Sequence, residues 1–351
     1  MTSSLDILAG PDALAELRDG GLDPARVRVL VGASGGPKWL VLHGLDRVLF
    51  PWLLAGAREP LHAVASSIGS WRFASLCTGA PLEAIERFAE AYIEQRYGPS
   101  PTPLEVTREG ERIMDALLGE GGSAPLIAHP LVRLHIVTTR FRHLGAHEGP
   151  GQLLGLAAAA LANALHRRAL AACVERVVFD AQGDPGPFAP WRTLPTRHVA
   201  LTIHNVRQAL AASAAIPRVM AGVRSPPGAP PGVYRDGGVA DYHFDAGVEP
   251  PDGIALYPHF YSHLIPGWFD KPLGWRRARG LRRVVLIAPS AAYVASLPHG
   301  RIPDRSDFAR MGDAERIRAW RRVLELGVQL GEAFGELVSS GRIGRAARAL
   351  A

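Results

Sequence analysis

Cysteine and lysine are both scarce in this chain, and no hydrophobic run is long. Among 351 residues the cysteines are Cys77 and Cys173 alone, far apart in sequence. Two isolated thiols supply neither a disulfide framework nor a metal-ligand spacing, so no structural metal and no cofactor is expected. A reducing, cytoplasmic setting fits that usage. Lysine and arginine number 39 together, yet only Lys38 and Lys271 are lysine. The net charge is +6, but no zinc-finger spacing or aromatic RNA-binding motif accompanies it, so nucleic acid is not an expected partner. The positive charge leaves room for a modest peripheral attraction to an anionic lipid surface. The most apolar stretch, Leu153 to Leu165 (LLGLAAAALANAL), is closed by His166, Arg167 and Arg168. It falls short of the roughly 20 residues that cross a bilayer and reads as a buried core helix rather than a membrane-touching one. The opening MTSSLDILAGPDALAELRDG has no basic start and no continuous apolar run, so no signal peptide is expected.

What is present is an alternation of strand and helix signals. Arg26 to Gly32, His62 to Ala65, Leu131 to Phe141, Arg176 to Phe179, Arg197 to Ile203 and Arg282 to Ile287 read as strands. Helical patterns run from Pro37 to Leu49, through Trp71 and Phe73, and from Pro81 to Arg96 with Leu82, Ile85, Phe88 and Tyr92 on one face. Another leads to Ala215, and a long one spans about Asp313 to Val338, with Ile317, Trp320, Leu324, Val328 and Leu337 as its apolar stripe. The alternation predicts an α/β fold with a mostly parallel central sheet covered on both faces. PPGAPP at Pro226 to Pro231 reads as a loop rather than a linker, so a single domain over 1–351 is expected. The tail GRIGRAARALA is expected to fray.

Three segments carry chemistry. Gly32-Ala33-Ser34-Gly35-Gly36-Pro37-Lys38 joins a strand to a helix start. Small residues there free backbone N–H groups to face a developing oxyanion, and the helix dipole adds positive potential. A plain tight turn is the competing reading. Ala65-Ser66-Ser67-Ile68-Gly69 also lies between strand and helix. Small residues two before and two after Ser67 are what a nucleophile elbow requires, although a helix-capping serine has the same look. Asp236-Gly237-Gly238 turns the chain sharply and aims a carboxylate at a neighbour, or else forms a hairpin turn.

Taken in order, Gly35-Gly36-Pro37-Lys38, Ser67 within ASSIG, SAAIP at Ser213 to Pro217, and Asp236 to Gly238 resemble the patatin-like phospholipases over residues 26 to about 245. Ser34 and Ala65 stand where that family usually has glycine. The resemblance implies a three-layer α/β/α fold and a catalytic dyad of Ser67 and Asp236. It also implies an oxyanion loop at Gly35, Gly36 and Lys38, with Gly69, Gly237 and Gly238 shaping the site. The implied activity is hydrolysis of a lipid or other acyl ester without metal or cofactor. Lys38 either steadies the oxyanion loop or pairs with a carboxylate.

Rival readings remain at this stage. Gly32 to Gly36 is a literal G-x-S-x-G, so a Ser34 triad with His259, His263 or His299 is an alternative. Nucleotide binding is disfavoured, because the glycine spacing is wrong for G-x-G-x-x-G and Trp39 follows Lys38. A non-catalytic acyl-binding protein on the same fold is the third. Outside the core, Tyr257 to Arg277 is rich in aromatics and suits either a lipid-facing lid or a loop pinned over a sheet edge. Asp304 and Arg305, in RIPDRSDF, read as a structural ion pair, with a rim contact as the alternative.

Overall fold

Strands form where short aliphatic runs meet turn residues. In the computed structural model, which describes residues 4–188, 191, 193–245, 247–278 and 281–350, eleven strands make one sheet. They are β1 (Leu5–Ala9), β2 (Val27–Gly32), β3 (Leu61–Ser66), β4 (Val132–Phe141), β5 (Val174–Ala181), β6 (Thr196–Leu201), β7 (Val223–Arg224), β8 (Val233–Asp236), β9 (Ile254–Pro258), β10 (Val284–Pro289) and β11 (Ala347–Ala349). The order is β11-β1-β10-β9-β2-β3-β4-β5-β6, with β8 added beside β4 and β7 beside β8. The central block β10-β9-β2-β3-β4 is parallel throughout. Antiparallel pairing enters at β1–β10, β4–β5, β4–β8 and β7–β8.

The central strands show why both faces must be covered. Every residue of β5, β9 and β10 is buried, and β2 and β3 are buried except at their second positions. Such continuous burial requires layers of chain on each side of the sheet. Helices α1 (Pro11–Gly20), α2 (His43–Gly56), α3 (Ile68–Leu76), α4 (Pro81–Ile93) and α5 (Pro103–Leu118) supply part of that cover. The 313–339 helix packs along α2. No helix among the described residues is long and apolar enough to cross a membrane.

Several expectations are corrected. The run after Pro37 begins as a 3-10 turn, Gly36–Leu42, and becomes α-helix only at His43. On α4, Leu82 faces outward while Ile85 and Phe88 are buried. On the 313–339 helix the buried stripe runs through Ile317, Trp320, Val323, Gly327, Leu330 and Phe334, and Val328 is exposed. The Pro150–Leu165 helix buries only Gln152, Gly155, Leu156, Ala159 and Asn163. Its leucines at 153, 154, 161 and 165 face outward, so it is not a core helix. The tail does not fray: Ile343 is fully buried, and Ala347 to Ala349 pair with β1 as a parallel edge strand.

Candidate active site

One strand aligns the site. The first part of β4, Val132 to Val137, pairs with β3, while its last four residues, Thr138 to Phe141, pair with β8. On its other edge β4 is paired with β5 from His135 to Phe141. β3 runs parallel to β4 and β8 runs antiparallel, so the two flanking strands approach each other end to end. Ser66 stands opposite Val137 and Asp236 opposite the next residue, Thr138. The ends of two strands far apart in sequence are thereby set one step apart.

Ser67 follows β3 at φ 55 and ψ −131, a positive-φ conformation that strains a residue with a Cβ. It precedes α3, yet its side chain caps nothing in that helix. Its Oγ instead donates to Asp236 Oδ2 at 2.8 Å. The capping reading of Ser67 is thus replaced by a hydroxyl–carboxylate pair. The demand for small neighbours is visible too: a Cβ at Gly69 would lie 2.5 Å from the Gly32 carbonyl oxygen. Ser213 accepts the Ser67 amide N–H at 2.8 Å and donates to the Val137 carbonyl at 2.7 Å. It therefore ties the elbow back to β4, a role not read from the sequence.

Asp236 is buried. Its Oδ1 accepts the Gly238 N–H at 2.7 Å, and its own N–H donates to Ala215 at 3.0 Å. Desolvation lifts its pKa to about 6; the Gly238 N–H, the Ser67 hydroxyl, Arg305 and Lys271 hold the rise in check. The chain does not form a hairpin here but a short 3-10 turn, Gly237–Val239. Gly237 is forced by contact, since a Cβ would lie 2.1 Å from the Val137 carbonyl oxygen. A Cβ at Gly238 would strike Ser34 Oγ at 2.5 Å. Behind them, Ser66 Oγ donates to the Asp241 carbonyl at 2.6 Å. The Asp241 carboxylate is gripped by both arms of the buried Arg176 guanidinium.

The glycine loop lies across from the dyad. Gly36 has φ 56, which a glycine adopts without strain, and it opens the 3-10 turn. The first N–H groups of such a turn have no acceptor within it, and none is found for Gly35 or Gly36 among the described residues. Phe260 packs beneath Gly35, where a Cβ would come within 2.6 Å of the ring. Lys38 points its ammonium at Asp304. The expected Asp304–Arg305 pair is therefore replaced by Asp304–Lys38, which clamps the glycine loop to the 301–308 segment. Burial alone pushes the Asp304 carboxyl up, but bonds from Lys38 and the Ser306 N–H together hold it well below its ordinary range.

Two cavities meet at Ser67. One, about 350 Å³, is the more polar of the two and includes Gly35, Lys38, Asp236, Lys271 and Arg305 in its lining. The other, about 320 Å³, is largely apolar and runs between Trp71, Tyr92, Ile113, Val219 and Phe308. Ser67, Gly36, Ile216 and Arg305 border both. The 257–277 loop divides its aromatics: Phe260 is buried, Trp268 lines the polar cavity, and Trp275 is 71% exposed.

Ser34 is placed differently from the triad reading. Its hydroxyl bonds Ser66 at 2.8 Å, and no histidine partners it among the described residues. His259 is buried and bonded through Nδ1 to the Tyr261 backbone, and His299 lies beside Glu315 at 3.9 Å. No group of three or more His, Cys, Asp or Glu side chains fit to hold a metal occurs among the described residues. No protein-family model matches the chain, and no curated protein matches it.

Proposed function

We propose that this chain is a serine acyl hydrolase of the patatin-like kind, cleaving a lipid or other acyl ester with the dyad Ser67–Asp236. The observation that carries the reading is the 2.8 Å bond from Ser67 Oγ to Asp236 Oδ2 in a buried site. A serine hydroxyl is a weak nucleophile without a neighbouring base. A carboxylate raised to about 6 by burial is a better base than a solvated one and is still ionised near neutral pH. Ser67 attacks the ester carbonyl and Asp236 takes its proton. The Gly35 and Gly36 amides face the oxyanion, with Lys38 fixing their loop through Asp304. Asp236 returns the proton to the leaving alcohol. It then takes one from the water that attacks the acyl-enzyme and passes it to Ser67 Oγ as the Oγ–acyl bond breaks and the carboxylic acid leaves. The apolar cavity beside Ser67 suits the acyl chain, and the polar one suits the alcohol.

Peripheral contact with a lipid surface belongs to the same proposal. Leu161 and Leu165 are 64% and 76% exposed at the end of the Pro150–Leu165 helix, with Leu153 and Leu154 on the same helix also exposed. Arg276 bonds the Asn163 and Ala164 carbonyls, which brings the exposed Trp275 to that helix end. Exposed apolar side chains gathered beside arginines fit an anionic bilayer surface.

The test is a screen of simple esters and phospholipids with wild type and Ser67→Ala, joined to labelling by a fluorophosphonate. Turnover in wild type, its loss in Ser67→Ala with the fold intact, and a label on Ser67 support the reading. Full turnover in Ser67→Ala, or a label on Ser34, defeats it.

A further inference from the structure

The polar cavity gathers more positive charge than its own carboxylates engage. Lys38, Lys271 and Arg305 line it together with Asp236 and Asp304. Lys38 is committed to Asp304, and Asp236 to Ser67 and Gly238. The Lys271 ammonium and the Arg305 guanidinium make no ion pair within 4 Å and no hydrogen bond among the described residues; both reach Asp236 only through longer-range attraction. Lys271 Nζ lies 3.8 Å from the centroid of the Tyr242 ring, a contact that steadies a cation without neutralising it. Arg305 stands on a fixed backbone. Asp307 accepts the Asp304 N–H at 3.1 Å and the Trp320 indole N–H at 3.0 Å, and it also pairs with Arg301.

The residue types add to this. The chain uses arginine almost everywhere for positive charge, and its two lysines, Lys38 and Lys271, both line this one cavity. Three cations share two carboxylates here; Lys38 and Arg305 repel the Lys271 ammonium, and an anion placed between Lys271 and Arg305 relieves that repulsion. The apolar cavity on the other side of Ser67 has Arg305 as the one charged side chain in its lining and lacks both lysines, so it accommodates hydrocarbon and leaves the anion to the alcohol side.

We propose that Lys271 and Arg305 form a subsite for a carboxylate or phosphate carried on the leaving alcohol, so that the substrate is an acyl ester of an acidic alcohol. The assignment of the anion to an alcohol rests on the serine hydrolase reading; the anion subsite itself does not. Arg305 offers a fork matched to either oxyanion, and Lys271 adds a point charge.

Kinetics and binding test this together. One arm compares 4-butyryloxybenzoate with 4-butyryloxybenzamide, which share an acyl group and differ in the charge of the alcohol. A second compares a 1-acylglycerol 3-phosphate with the 1-monoacylglycerol of the same chain, which distinguishes a phosphate headgroup from a soluble carboxylate. Calorimetry with 4-hydroxybenzoate and 4-hydroxybenzamide reads the subsite without turnover. The expected result is a kcat/KM ratio favouring the anionic ester by about tenfold or more in at least one arm, expressed mainly in KM. That ratio, and the affinity for 4-hydroxybenzoate, fall about tenfold in Arg305→Gln and in Lys271→Gln. A wild type that hydrolyses the neutral ester with no preference for the anionic one, or a preference unchanged in both variants, overturns the subsite and leaves the hydrolase standing. Arginine- and lysine-dependent binding of 4-hydroxybenzoate without hydrolysis of any ester supports the subsite and removes the hydrolase. Neither turnover nor charge-dependent binding overturns both.

Discussion

On the proposed mechanism Asp236 acts as a base from a buried position, and pH exposes both sides of that arrangement. Its pKa rises from 3.8 to about 6 on burial. The proton-free form is the one that takes the Ser67 proton, so kcat/KM for a neutral ester is expected to climb as pH passes through about 6 and then level off. A rate profile between pH 4.5 and 8 checks this, and an acid limb near 4 instead would remove the buried carboxylate from the rate law. The same shift acts on stability with the opposite sign. A raised carboxylate pKa favours the folded state fully below about 4, and the advantage is lost as pH rises through 6. At neutral pH the buried charge costs on the order of 2–3 kcal/mol. Asp236→Asn is therefore expected to lose turnover yet raise stability by about that amount at pH 7.5, with the gain shrinking toward pH 4. Denaturant midpoints at the two pH values measure it.

At the scale of elements, the end-to-end meeting of β3 and β8 along β4 holds the site, and Gly237 is its tightest point. Gly237→Ala drives a Cβ into the Val137 carbonyl. It is expected to lower stability by about 3 kcal/mol and to cut turnover sharply by parting Asp236 from Ser67. Chemical denaturation and single-turnover kinetics read the two effects separately. Much of this level was legible in the sequence. The strands leading to Gly32, Ser66 and Phe141 showed as aliphatic runs, and the elbow showed in its small residues. β1 and β11 were not legible: their pairing joins Ile7 to Ala347, across nearly the whole chain, and no local pattern records a contact of that span. The Leu153 to Leu165 run misled because hydrophobicity alone does not say which face of a helix is covered. Ser67 and Asp236 could be named as a pair through the resemblance that the order of the motifs carries. Ser213 as elbow anchor, and Lys271 and Arg305 as cavity cations, could not, because a side chain's partners are set by tertiary packing.

For the whole molecule, the exposed leucines, Trp275 and the cavity mouth are linked through one segment. The 257–277 loop carries Trp268 and Lys271 to the polar cavity, and Arg276 fastens the same loop to the end of the Pro150–Leu165 helix. Leu161→Glu with Leu165→Glu is expected to weaken binding to anionic vesicles at least tenfold and to slow turnover of vesicle-borne substrate, with dispersed short-chain esters little affected. Vesicle sedimentation alongside the two assays checks it. Equal turnover of vesicle substrate by the variant and wild type would take the leucine face out of lipid docking.

The alignment of the dyad on β4 has a further consequence, for which lengths of chain can change. Most surface connections of such a fold tolerate insertion, because they run outside the sheet. A single extra residue in β4 between Val137 and Thr138 is another matter. It moves β8 one step, roughly 3.3 Å, away from β3 and turns the Asp236 side chain to the opposite face of the sheet. The loops between Ser67 and Asp236 are expected to tolerate a change of length that this one strand does not.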